Sequence, residues 1–90
     1  MHDEAAIVRV AADSRPTAVA GAIAGMVRTG THPIVQAIGA GAVNQAVKAL
    51  IIARGYLESD GVNIACVPSF SEMIIDGLER TAVRLEVILR

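Results

Sequence analysis

The sequence predicts an α/β fold: a two-layer sandwich of order β-α-β-α-β-β, with both helices on one face of a mixed four-stranded sheet of order 1-2-4-3. Three observations predict it. Runs rich in Ile and Val alternate with segments of helical period. The last run, TAVRLEVILR (residues 81–90), has period two, with Thr81, Val83, Leu85, Val87 and Leu89 on one face and Ala82, Arg84, Glu86 and Ile88 on the other. Strand-helix-strand crossovers are right-handed, so two helices on one face advance the parallel strands in one direction and leave a gap for an antiparallel fourth strand.

Residues 5–12 (AAIVRVAA) read as the first strand, with Arg9 isolated among apolar residues. The first helix follows, with Ser14 as N-cap, Pro16 in the first turn and Gly30 at the C′ position. Val19, Ile23, Met26 and Val27 form its core stripe. PIVQAIG is the second strand. The second helix runs from Ala42 to near Gly55 on a stripe of Val43, Val47, Leu50 and Ile51. VNIACVPSF is the third strand, and the apolar, acid-flanked FSEMIID reads as a loop before the last strand. Arg28 and Arg54 fall at helix C-terminal ends, where the helix dipole favours a cation.

Ninety residues suffice for a single domain, residues 1–90, with one core. The chain is 53% hydrophobic but has one Tyr and one Phe, so the core is built of Ala, Val, Ile and Leu. Eight basic and nine acidic residues leave a net charge of −1, without the basic excess of a strong duplex binder. The single cysteine, Cys66, excludes a disulfide framework and reads as a packed thiol. The acidic start MHDEAAIVRV is no signal peptide, and the uncharged run 29–47 is broken by His32, Pro33, Gln36, Asn44 and glycines. A cytoplasmic protein with no membrane partner is expected.

Both helices carry more apolar or small surface than one sheet can cover. Residues 17–27 hold no charge; Ala18, Ala22 and Gly25 flank the first helix, and Ala46, Ala49, Ile52 and Ala53 surround the stripe of the second. A homodimer, or a higher homo-oligomer, would bury this surplus.

The stretch QAIGAGAVNQAVKAL places Gly39-x-Gly41-x-x-Asn44 between a strand and a helix. A dinucleotide fingerprint needs a small third residue and a second mononucleotide-binding half, and a P-loop needs a following Gly-Lys-Ser/Thr; neither requirement is met. Gly39 and Gly41 serve a sharp turn, and free amides at the helix start attract an anion such as a nucleic-acid phosphate. Asn44 and Gln45 add side-chain donors there, with Lys48 one turn later. Ser69 and Ser71 have no identifiable base, His32 precedes Pro33 in a turn without a partner, and His2, Asp3 and Glu4 are too close together for a metal site. The residues therefore point to no enzyme, cofactor or metal. Arg9 and Arg84 are expected on the open sheet face near Gln36 and Asn63, with Glu86 among them.

RPTAVAGAIAG, VQAIGAGAVNQAVKALIIARGY and IDGLERTAVRLEV, in this order over nearly the whole chain, resemble the stage V sporulation protein S family. That family is similar in fold to the Alba chromatin proteins and to the C-terminal domain of translation initiation factor 3. The resemblance implies a small, dimeric, non-enzymatic protein that binds DNA or RNA and is linked to sporulation, septation or spore-coat assembly. It implies nucleic-acid contacts from the turn after the first strand, here Arg15, and from the arm before the last strand, here Arg80. Asn44, Gln45 and Lys48 stand as in the family motif. Asp13 occupies a position where related sequences often carry Lys, and Glu72, Asp76 and Glu79 make the arm acidic. These departures favour the alternative expectation, a scaffold for sporulation or division proteins without a nucleic-acid ligand.

Overall fold

The computed structural model describes residues 5–90; His2, Asp3 and Glu4 lie outside the described residues. The elements are β1 (Ala5–Val10), α1 (Pro16–Arg28), β2 (His32–Ala37), α2 (Ala40–Glu58), β3 (Ile64–Ile75) and β4 (Leu78–Leu89). The sheet order is β1-β2-β4-β3, with β1 and β2 parallel and both other pairings antiparallel. This is the sandwich that the patterning predicts.

Register sorts the side chains into two faces. Val35 lies between Val8 and Leu85, and Ala37 between Val10 and Val83. These residues share one core with Ala20, Ile23 and Ala24 of α1 and with Ala42, Ala46, Ala49, Ala53 and Leu57 of α2. Both helices therefore cover one face. One residue along, Gln36 lies between Arg9 and Arg84 on the other face. Asn63 is elsewhere, its carbonyl accepting from the Arg90 N–H beyond the ends of β3 and β4.

The helix stripes differ from expectation in an instructive way. On α2 the fully buried residues are four alanines and Leu57; of the expected stripe Val43 and Leu50 pack partly buried against the core, whereas Val47 and Ile51 are 44% and 66% exposed. Alanine faces let α1 and α2 approach closely, and close packing of backbone against backbone outweighs the transfer energy of two larger side chains. On α1 only Ile23 of the expected stripe is fully buried, alongside Ala20 and Ala24.

Helix ends follow backbone geometry. α1 stops in a Schellman motif: Gly30 has φ 80°, its N–H reaches the Val27 carbonyl, and the Thr31 N–H reaches that of Met26. α2 does not stop near Gly55. It passes through that glycine and ends four residues beyond Arg54, so Arg54 is not a terminal cation. The stop is Gly61, at φ 69°, with N–H bonds from Gly61 to the Glu58 carbonyl and from Val62 to that of Leu57. Arg28 does end α1, and it ties the two helices together: Nε donates to Asp60 Oδ2 at 2.6 Å and Nη2 to the Tyr56 carbonyl at 3.1 Å.

The expected arm loop is a continuous hairpin. Twelve-residue strands β3 and β4 pair from Ile64↔Leu89 to Ile75↔Leu78 around Asp76 and Gly77, whose φ values of 52° and 78° suit a two-residue type I′ turn. The Asp-Gly signal between apolar Ile75 and Leu78 was the legible cue. Pro68 is accommodated because β3 is an edge strand.

Two glycines in α2 and its stop should respond oppositely to alanine. Gly55→Ala, where an added Cβ meets nothing within 4 Å, raises the unfolding free energy by about 0.5–1 kcal/mol. Gly61→Ala lowers it by about 1–2 kcal/mol because the left-handed conformation becomes strained. Urea denaturation of the two variants checks both signs.

Candidate nucleic-acid interface

The parallel strands β1 and β2 end at the same edge of the sandwich, so the segments leaving them, residues 11–15 and 38–39, lie side by side. Ser14 does not cap α1. Its Oγ accepts the Ala11 N–H at 2.8 Å and its own N–H donates to the Ala11 carbonyl at 3.0 Å, closing the loop upon itself. Arg15 takes the N-cap position without a side-chain cap bond, and Pro16 follows as first helical residue. The first intrahelical bond comes from Val19, so the amides of Thr17 and Ala18 have no acceptor within the helix.

The second helix starts likewise. Gly39 caps α2 at φ 89°, ψ 156°, a region open essentially to glycine alone, and again no side chain caps the helix. The first intrahelical bond is from Val43 to Gly39, leaving the amides of Ala40, Gly41 and Ala42. A Cβ on Gly41 would lie 3.1 Å from the Cβ of Ala12, so this glycine permits the 11–15 loop to pass against the start of α2. Both glycines thus have a structural reason, and both remain exposed.

The two helix mouths are locked together by Gln45. Its Nε2 donates to the Ser14 carbonyl at 2.8 Å, which makes Gln45 a positioning residue for the loop. Asn44 and Lys48, one turn apart on α2, are exposed, as are Arg15 and Asp13. Neither Arg15 nor Lys48 forms an ion pair among the described residues. Arg80 sits apart from this group, on the hairpin opposite Met73. The hairpin nevertheless returns to the same end, since Met73 and Ile75 share a cleft of about 480 Å³ with Ala11 and Ala12.

Several residues differ from expectation. His32 opens β2 instead of lying in a turn, and its Nε2 is 2.8 Å from Glu86 Oε2 across the strands. Cys66 is exposed and not packed; it lines an apolar groove of about 220 Å³ with Val47, Leu50, Ile51, Ile64 and Leu85. A chain of contacts that sequence patterning did not anticipate crosses the open face: Arg84 Nε donates to Gln36 Oε1 at 3.0 Å, and Gln36 Nε2 to Met73 Sδ at 3.2 Å. Only the hairpin pairing brings residue 73 to residue 36. Among the described residues no cluster of His, Cys, Asp and Glu could hold a metal ion, and no helix is long and apolar enough to cross a membrane.

Fold and site together define a class: a small βαβαββ sandwich presenting backbone amides, an exposed Asn and isolated cations at one end. The family model described as Stage V sporulation protein S (SpoVS) matches residues 6–90. The chain belongs to that family and is accordingly a small sporulation-associated protein.

The lock between the mouths is testable. Gln45→Met keeps side-chain length and helix propensity but removes the bond to Ser14, so stability falls by about 1 kcal/mol. Hydrogen exchange at the amides of residues 11–15 should accelerate in this variant.

Proposed function

We propose that this protein is a non-enzymatic, sporulation-associated module that binds DNA or RNA through backbone phosphates and works as a homodimer. The observation that carries the reading is the pair of exposed, uncapped helix N-termini joined by Gln45, with Arg15 and Lys48 free of ion pairs among the described residues. Amides at a helix start, with the dipole behind them, favour a phosphate without any specific base contact. Asn44 adds a donor, and Arg80 brings a cation from the hairpin. Such contacts recognise a backbone, which suits weak, sequence-independent binding.

Dimerisation would double these contacts. It is supported by the apolar groove between α2 and the β3–β4 hairpin, by the exposed Val47 and Ile51 that line it, and by exposed Phe70 on the same face of β3. Isolated exposed apolar residues are ordinary, but a contiguous set lining a groove favours a protein contact.

One observation favours the scaffold reading. The hairpin tip combines exposed Ile74 and Leu78 with Glu72, Asp76 and Glu79, a surface better suited to a protein than to a polyanion. Protein partners from sporulating cells that survive nuclease treatment would support it.

Fluorescence anisotropy with labelled DNA and RNA across a salt series tests the leading reading. With three cations per subunit on phosphate, the logarithmic salt slope for a dimer on duplex is roughly −5. Arg15→Gln combined with Lys48→Gln should lower that slope by about 3–4 and weaken binding to every sequence alike. A flat salt response, or no binding at low salt, defeats it.

A further inference from the structure

The open sheet face holds a charge distribution that the net charge of −1 conceals. Arg9, Gln36 and Arg84 lie abreast on β1, β2 and β4, so the two arginine backbones flank the amide about 10 Å apart. Arg80 shares the face of Arg84 by alternation, and its cross-strand partner is Met73, which reaches Gln36. The same alternation puts one carboxylate on the described part of this face, Glu86, and it is held by His32. Glu72 and Glu79 fall on the opposite face, Glu72 accepting from the Thr81 hydroxyl. None of the three arginines has a carboxylate partner among the described residues.

A roof covers the middle of this row. Gln36 is 4% exposed, and Met73 and Ile75 of the hairpin close one side of the cleft whose floor includes Arg9 and Gln36. The Gln36–Met73 contact that holds the roof is weak, because a thioether is a poor acceptor. A rigid duplex cannot pass beneath such an overhang, whereas an extended single strand can. Guanidinium planes and aliphatic side chains also accept a base face without sequence preference.

We propose that this face is a track for single-stranded nucleic acid, with Arg9, Arg80 and Arg84 on successive phosphates and Met73 lifting from Gln36 to admit the strand. The proposal rests on the nucleic-acid reading above and adds a second surface, one that selects single strand over duplex.

Two measurements on the full chain test it. With three methionines in the sequence, labelled methyl NMR resolves Met73. A short oligothymidylate should shift the Met73 signal, while a duplex of equal length should not. In anisotropy, Arg9→Gln with Arg84→Gln should weaken single-strand binding about tenfold or more and leave duplex binding within about twofold. Arg54→Gln with Arg90→Gln, an equal charge change elsewhere, should leave both within about twofold. An unmoved Met73 signal, or a face variant no weaker than this control while Arg15→Gln with Lys48→Gln abolishes binding, overturns the track and keeps the helix mouths. Absence of binding by the wild type to any nucleic acid at low salt overturns both.

Discussion

Everything at the end of the sandwich where the two helices start depends on how closely α1 and α2 approach. Ala20 and Ala24 of α1 share a single core with Ala42, Ala46, Ala49 and Ala53 of α2, with Ile23 and Leu57 as its largest fully buried helical side chains. Small residues give little hydrophobic transfer energy each, but they allow dense backbone packing. That packing sets the starts of the two helices beside one another. Gly41 then lets the 11–15 loop touch the second helix, and Gln45 fastens it. The alanine packing, Gly41 and Gln45, all uncharged, thereby set the free amides of two helix starts side by side.

The same packing explains the apolar surface. With alanines inward, Val47 and Ile51 must face outward, and they do so next to the groove bounded by β3 and β4. Val47 and Ile51 are therefore surface that the proposed self-association would cover. Core formation and the proposed self-association are thus two consequences of one geometric choice.

Charge follows the sheet in a comparable way. Among the described residues, one face of the strands holds three arginines and one carboxylate because side chains alternate with period two. The hairpin then brings Met73 onto Gln36 of that face, and its pairing with Arg80 sets an apolar side chain beside a cation. Net charge averages over surfaces that a ligand meets separately.

Element order, strand order and the helix-facing side of β4 were all legible in the sequence, because they rest on local periodicity and on crossover handedness. So were Arg9, Gln36 and Arg84 as neighbours on the open face, and the glycine turn before α2. Helix ends were less legible: Gly55 and Gly61 are the same residue type, and only the path of the chain decides which one adopts positive φ. The buried face of α2 was legible only in part: Val43 and Leu50 pack against the core as the stripe predicts, but the fully buried positions are mostly Ala, which a pattern of hydrophobicity passes over in favour of Val and Ile. Nor could the sequence assign Gln45 to the Ser14 carbonyl, His32 to Glu86, or Met73 to Gln36. These pairs join residues 31, 54 and 37 positions apart. Local chemistry determined which segments are helix or strand, and tertiary packing decided which side chains meet, because contacts between distant segments depend on the relative placement of whole elements.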